Sequence, residues 1–405
     1  MNIIVMKFGG TSLGTVEKIR NVGKIVENES KTNKIIVVLS AMAGVTNQLQ
    51  NYIDEIDSEP SAENDLILTS GEQVSVGLLS AILKKKDIRS KPLLGWQVPI
   101  ITDQFHEKSK ILNIKNETIF LNFKDFDVLV LAGFQGININ GSISSLGRGG
   151  SDTTAVAIAS SVKAQRCDIY TDVEGVYTAD PNIVPDSKKI SKVSFEEMLE
   201  MSSTGAKVLQ TRSVELAMKN NLTLQVLSSF GNKEGTYIVD EKKLIEKEIV
   251  SGVSYSNNES KITISGIPDK PGISAKIFGI MAENNINVDM IVQNISQDGI
   301  FANITFTVPS KDLELANRLL KENSNNLNFK SITLNKNVAK VSVIGMGMMS
   351  QSGVAEKMFK TLADNSINIL AISTSEIKIS VLIDMKFTKI AVKSLHEVYN
   401  LKNIN

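Results

Sequence analysis

The last third of the chain repeats itself, and that narrows what it can fold into more than any single motif. Lys261-Ile262-Thr263-Ile264-Ser265-Gly266 matches Lys340-Val341-Ser342-Val343-Ile344-Gly345. Gly272 to Phe278 matches Gly353 to Phe359, and Asn285-Ile286-Asn287-Val288 matches Ser366-Ile367-Asn368-Ile369, all at a period of about 80 residues. Each copy reads strand, glycine turn, helix, strand, strand, helix. Such a βαββαβ unit buries one sheet face under two helices, pairs readily edge to edge, and leaves a pocket at the turn after its first strand.

The front of the chain keeps a different rhythm. Short β-rich runs at Asn2–Lys7, Lys34–Leu39, Lys91–Thr102, Asp127–Ala132, Asp168–Thr171 and Leu222–Ser228 alternate with helical spacing, as in Val16, Ile19, Val22 and Val26 or across Leu66–Leu83. Phe195–Met201 and Val208–Ala217 also read as helices. This alternation predicts an α/β domain with a largely parallel sheet covered on both faces. Asp240–Glu248, heavily charged, reads as a connecting helix or linker. With 405 residues, two or three domains are expected.

The strands end in small residues. Phe8-Gly9-Gly10-Thr11-Ser12, Ser40-Ala41-Met42-Ala43-Gly44-Val45-Thr46 and Gly133-Phe134-Gln135-Gly136 follow three of them, and ligands gather at the carboxyl ends of parallel strands. The densest stretch is Leu146-Gly147-Arg148-Gly149-Gly150-Ser151-Asp152-Thr153-Thr154, which feeds a helix of small apolar residues from Thr153 to Val162 with Ser151 or Asp152 as its cap. Unpaired amides and the helix dipole make such a turn a site for an anion such as phosphate, although a plain turn and cap have the same composition. Lys7 precedes its glycines, so the first turn is not a P-loop. Its lysine either neutralises a phosphate as a point charge or is simply solvated. Glu72, among apolar positions of a helix, needs a partner or water.

Composition excludes several functions. Lys plus Arg equals Asp plus Glu at 44 each, so no global field draws the chain to nucleic acid or an anionic membrane, and the expected partners are small molecules. Cys167 is the only cysteine, which rules out an internal disulfide and fits a buried side chain in a reducing, cytoplasmic setting. His106 and His396 lack ligand spacing and read as surface residues. The run Ile3–Met6 reads as a strand and not a signal peptide, and no stretch is expected to approach the roughly 20 apolar residues that span a bilayer.

Three segments in order, Lys7–Ser12, Gly147–Asp152 and Thr171-Asp172-Val173-Glu174-Gly175-Val176-Tyr177-Thr178-Ala179-Asp180-Pro181, resemble the signatures of the aspartate kinase (aspartokinase) family, and the likeness runs over essentially the whole chain. The tandem tail resembles the ACT domains of its monofunctional, allosteric form. The resemblance implies an α/β, three-layer amino-acid-kinase fold with a mostly parallel sheet over residues 1–245, then two α+β ACT domains at 246–332 and 333–405. Because relatives interleave these modules, the strand at 249–255 is open to joining the second. It further implies ATP-dependent phosphorylation of the L-aspartate side-chain carboxylate with Mg²⁺, as the first step towards lysine, threonine and methionine, with lysine or threonine as feedback effectors. A homo-oligomer through the ACT domains is implied, with or without a separately translated regulatory fragment.

By the same resemblance Lys7 and Asp152 are catalytic, and Lys7, Phe8, Gly9, Gly10, Ser12, Thr171, Asp172, Tyr177, Asp180 and Lys207 hold ATP. Ser40, Thr46, Glu72, Arg148, Gly149, Gly150 and Ser151 hold aspartate. Effector contacts fall on Asp269, Gly272, Ile273, Ala275, Asn287, Val288, Asp289 and Gln293, and on Ser352, Gly353, Val354, Asn368, Ile369, Thr374 and Glu376. Ser144-Ser145 and Gln210 depart from the paired threonines and the histidine of many relatives. A same-fold kinase acting on glutamate, N-acetylglutamate or a nucleoside monophosphate, and a silent amino-acid sensor, are the competing readings. The ACT tail disfavours the first, and retention of Lys7, Arg148 and Asp152 together disfavours the second.

Overall fold

The computed structural model describes residues 2–205, 208–231, 234–244, 249–297 and 299–403. They divide into two compact units. In the first, the chain runs β1 (Ile3–Phe8), α1 (Val16–Ser30), β2 (Lys34–Leu39), α2 (Val45–Glu55), α3 (Ala62–Leu68), α4 (Ser70–Lys84), β3 (Ser90–Leu93), β4 (Ile100–Thr102), β5 (Ile111–Ile114) and α5 (Glu117–Asn122). It continues through β6 (Val128–Ala132), β7 (Gln135–Asn138), β8 (Ile143–Ser145), α6 (Gly150–Ser161), β9 (Arg166–Thr171), β10 (Lys192–Ser194), α7 (Phe195–Ser203), α8 (Thr211–Lys219), β11 (Leu224–Ser228) and β12 (Thr236–Val239).

Eight of these strands form one sheet in the order β10-β12-β11-β9-β1-β2-β6-β3, parallel except for β11 with β12. Side chains alternate across a strand. Ile4, Met6 and Phe8 therefore join Ile19, Val22 and Val26 of α1 and Leu79 and Leu83 of α4 in one core, while Lys7 points to the other face, where it meets Asp152 at the start of α6. Every residue of α6 from Gly150 to Ala159 is buried. A helix enclosed on all sides needs small, apolar side chains, which is what Ala155, Ala157 and Ala159 supply.

A second, four-stranded sheet, β5-β4-β7-β8, was not legible from periodicity. The run expected as one strand, Lys91–Thr102, is split between the two sheets by a turn at Gly95, where an added Cβ would lie 2.8 Å from the Gln135 carbonyl oxygen. Another difference concerns Ala62–Lys84, whose mean hydropathy of 1.5 over a membrane-spanning length exceeds the expectation for any stretch of this chain. Half of it is buried, with Leu68, Val76, Leu79 and Leu83 inside the fold. Its apolar character is that of a core helix.

The second unit holds β13 (Gly252–Pro268), α9 (Ile273–Glu283), β14 (Asp289–Ile295), β15 (Phe301–Pro309), α10 (Leu313–Glu322), α11 (Ser324–Leu327), β16 (Ser331–Ile344), α12 (Val354–Asp364), β17 (Ile369–Thr374), β18 (Lys378–Asp384) and α13 (Thr388–Val398). Both repeats share one sheet, β14-β15-β13-β16-β18-β17. The start of β13, Gly252–Ser256, pairs with Lys340–Ile344 of the second repeat, and its later part pairs with β15 of the first. Each repeat keeps its own apolar core beneath its helices. Of the charged segment expected as a linker, Glu241–Lys243 is a single 3₁₀ turn.

Residues 177–188 belong to this second unit, so the expected boundary at 245 is not a single cut. Val253 N–H donates to the Thr178 carbonyl at 2.8 Å and the Tyr255 hydroxyl to Asp180 at 3.1 Å. His396, expected at the surface, is 3% exposed, with Nε2 2.9 Å from the Thr178 hydroxyl. Burial holds its imidazole below the usual range. The folded chain thus keeps His396 neutral while the unfolded chain takes up a proton, so this contribution to stability is lost as pH falls below about 6.5.

Thr178→Val strands both His396 and the Lys188 amide that donates to the same hydroxyl. A loss of about 1–3 kcal/mol is expected in denaturant unfolding of the full chain, and His396→Gln is expected to flatten the decline in stability on acidification.

Candidate active site

The parallel register brings the carboxyl ends of β1, β2, β6 and β9 to one edge of the first unit. Lys7, next to last on the central β1, stands in register with Val38 of β2 and Ile169 of β9. Its ammonium forms an ion pair with Asp152, and both side chains are about nine-tenths buried. A buried charge pair survives only when each partner is held, and here the first turn of α6 holds the carboxylate.

The turn into α6 departs from the expected cap. The cap is Gly149, in the left-handed conformation at φ 71°, and no side chain closes the helix end. Asp152 is turned to Lys7 and is not available as a cap. The Gly150 amide donates to the Gly147 carbonyl at 2.9 Å, which leaves the Ser151 and Asp152 amides without an intrahelical acceptor, beside a lysine. An added Cβ at Gly149 would lie 2.1 Å from Gln210 Cγ, so this glycine is required by space as well as by φ. On the other side, Gly133 packs against Ser151, where a Cβ would come within 2.8 Å of Ser151 Oγ.

After β1 the chain turns directly into a 3₁₀ helix, Gly10–Leu13. The Gly9 amide is already used, donating to the Tyr170 carbonyl at 3.3 Å. Of the residues expected at the nucleotide, Phe8 packs into the core and Ser12 is buried at the strand edge. Phe8 is fully buried and stacks on Tyr170 with ring centroids 4.4 Å apart, and Ser12 is buried with its hydroxyl 2.8 Å from that of Ser229. Thr171 and Asp172 stay at the strand edge, the threonine hydroxyl donating to the aspartate at 3.1 Å.

Glu72, on α4, is 3% exposed. Its Oε1 accepts from the Ala41 amide at 3.0 Å, in the turn after β2, and its Oε2 has no partner among the described residues. Burial pushes this carboxyl up to about 8, against the pull of the Ala41 amide. A half-satisfied carboxylate of this kind suits a cation that arrives with a ligand. Ser40 lies in the same turn, its amide donating to the Phe8 carbonyl at 3.1 Å, and Thr46 lies in the first turn of α2. Arg148 is exposed at the tip of the glycine turn and makes no ion pair with a described residue.

Tyr177 and Asp180 belong to the second unit, where Asp180 accepts from Tyr255 and from Asn182. Lys207 lies outside the described residues. Arg212 was missed by sequence reasoning, yet it donates to the Leu146 and Ser109 carbonyls, both at 3.0 Å, and so grips the glycine turn from behind. Among the described residues no three acidic, histidine or cysteine side chains converge as a metal site.

In the second unit, Gly272 and Gly353 occupy equivalent left-handed caps, at φ 91° and 94°, ahead of α9 and α12. In the first repeat Asp269, Ile273 and Ala275 lie in or beside that turn, Asn287 and Val288 lead into β14, and the Ser274 hydroxyl donates to Gln293 on β14 at 3.3 Å. Asp289 is committed elsewhere, its Oδ2 2.5 Å from the ammonium of buried Lys340. In the second repeat, Ser352, Gly353 and Val354 line a cleft of about 400 Å³ with Val250, Lys357 and Tyr399. Asn368, Ile369, Thr374 and Glu376 are not among its lining residues.

Residues 2–228 match the amino acid kinase family, and residues 262–323 and 341–399 match the ACT domain. An aspartate kinase of Pseudomonas putida is 46% identical over 404 residues, covering 99% of this chain and 98% of that one. An aspartokinase of Pseudomonas aeruginosa is 47% identical over 405 residues, with the same coverage of each chain. The E. coli aspartokinase III structure in complex with aspartate and ADP (R-state) matches with a TM-score of 0.83 at 25% identity, over 98% of this chain and 99% of that one. Its complex with lysine and aspartate (T-state) matches with a TM-score of 0.76 at 25% identity, over the same shares. Kinase unit, tandem ACT repeats and near full-length likeness together make this chain an enzyme of the aspartate kinase family, carrying the family's ACT regulatory domains.

Proposed function

We propose that the edge bounded by Lys7, the α6 turn and Glu72 is where this enzyme transfers the γ-phosphoryl group of ATP to the side-chain carboxylate of L-aspartate. The carrying observation is the buried Lys7–Asp152 pair beside an uncapped helix start. An aspartate side chain, with an ordinary pKa of about 3.9, is ionised at neutral pH, so no general base is needed. The obstacle is repulsion. Two unit charges about 4 Å apart repel by roughly 4 kcal/mol at an effective dielectric near 20, and cations and amides fixed in advance offset this.

In this reading Lys7 neutralises the transferring group, Asp152 keeps the lysine in place, and the amides at Gly10 and at the α6 start contact phosphate oxygens. Arg148 takes the α-carboxylate and Glu72 the α-ammonium, which fills the open Oε2. Ser40 and Thr46 add hydroxyl contacts, and Thr171 and Asp172 border the nucleotide. Mg²⁺, when bound, would screen the phosphate charge, held chiefly by the nucleotide and water.

The product would feed the routes to lysine, threonine and methionine. The equivalent Gly272 and Gly353 caps support amino-acid effectors at the ACT repeats, lysine or threonine being the ligands proposed. Exposed Ile291 and Ile295 on β14 and Ile372 on β17 support a homo-oligomer formed through these sheet edges.

Lys7→Met is expected to lower kcat by about 10²–10³-fold in a coupled ADP-release assay; near-normal turnover would contradict the phosphate role. For Glu72→Gln the expected result is a rise in KM for aspartate of at least about tenfold. The same substitution has a pH signature. Folded Glu72 keeps a proton that the unfolded chain releases, so ligand-free stability falls as pH rises from about 4.5 to about 8. Glu72→Gln should remove that fall in thermal unfolding. Millimolar lysine or threonine is expected to reduce turnover in the parent and not in Gly272→Val; inhibition retained in the variant would count against the first-repeat site.

A further inference from the structure

Asp65 is a fully buried carboxylate that the site described above does not use. Its Oδ1 accepts from the Ser145 hydroxyl at 2.5 Å and from the Glu107 amide at 3.0 Å, and its Oδ2 lies 2.8 Å from His106 Nδ1. A carboxylate taken out of water is held by such a shell or not at all. Three chain segments meet on it: α3, the 103–109 loop and the end of β8.

Two of those segments lead directly to Arg148. Ser145 ends β8, and the next residues are Leu146, Gly147 and Arg148. The loop reaches the same turn through space, because an added Cβ at Gly147 would lie 2.8 Å from the Glu107 carbonyl oxygen. Arg212 closes the arrangement by bonding the carbonyls of both Leu146 and Ser109. The third segment leads to Glu72. Thr69, which ends α3 and starts α4, keeps helical dihedrals at φ −79° and ψ −6°, and its hydroxyl donates to the Asp65 carbonyl at 2.8 Å. Asp65 and Glu72 therefore lie two turns apart on a nearly continuous helix, an axial separation of about 10 Å.

We infer that Asp65 is a positioning residue that fixes the distance between Glu72 and Arg148, and thereby the length of amino acid that the site accepts. The inference rests on the proposed reading of those two residues as the ammonium and carboxylate contacts. Asp65 touches neither ligand. It joins the helix that carries one contact to the turn that carries the other, so loosening it lets both drift while the Lys7 edge stays as it is. A misplacement of about 1 Å between binding groups can cost on the order of 10²-fold.

The test is steady-state kinetics of the full-length enzyme with aspartate, glutamate and ATP varied separately, for Asp65→Asn, Ser145→Ala, Ser145→Thr and Arg148→Ala. Asp65→Asn and Ser145→Ala are expected to raise KM for aspartate by about tenfold, narrow the preference for aspartate over glutamate, and leave KM for ATP within about twofold. Ser145→Thr, which keeps the hydroxyl, is expected to restore the parent values. If Asp65→Asn does not fold, the two Ser145 variants decide the matter alone. Equal shifts in both KM values, or none, would overturn the positioning role. Unchanged aspartate KM in Arg148→Ala would instead overturn the reading of the amino-acid site, and the inference with it.

Discussion

A lysine at the end of a buried parallel strand has few places to put its charge. Lys7 cannot face the α1 and α4 side, which Ile4, Met6 and Phe8 fill, so it lies under α6 and needs an anion there. Asp152 supplies it, and much else follows from that pairing. Asp152 can reach only if α6 begins at Gly150, which requires a left-handed Gly149 and a glycine turn in place of a side-chain cap. The uncapped amides and the cation then share one edge, and that edge favours phosphate. The ion pair is thus less a source of stability than a way of fixing a positive charge where one is needed.

The same edge explains why Glu72 is tolerated half-satisfied. Its cost is borne by the core of α1 and α4, and it is reduced when an ammonium arrives. Asp152 and Glu72 are both buried carboxylates, but their surroundings push them to opposite uses. One has a resident cation; the other has a single backbone amide and an open oxygen. Lys340 in the second unit follows the first pattern, buried on β16 with Asp289 and Glu259 around it, so that a charge pair ties the first repeat's edge strand to the second repeat's central strand.

Much of this was legible in the sequence, because it rests on local spacing. Alternating strands and helices predicted the parallel sheet, the repeat predicted the paired βαββαβ units, and the order of the glycine turns located the edge. Other features depend on long-range packing, which spacing does not encode. Phe8 has the right position for nucleotide contact but points into the core, since alternation along β1 sets its direction, and the Ser12 hydroxyl is taken up by Ser229, 217 residues away. His396 looked like a surface histidine because its partner Thr178 lies 218 residues away. Asp65 and Arg212 carry no periodic signal at all; their importance comes from chain segments, distant in sequence, that converge on them.

The most direct measurement is a crystal structure of this enzyme with ADP and L-aspartate bound. The account predicts the nucleotide's terminal phosphate against Lys7 and the Gly10 and α6 amides, with the aspartate ammonium on Glu72 Oε2 and its α-carboxylate on Arg148. Both ligands lying away from the carboxyl end of β1, with the Lys7–Asp152 pair untouched, would contradict it.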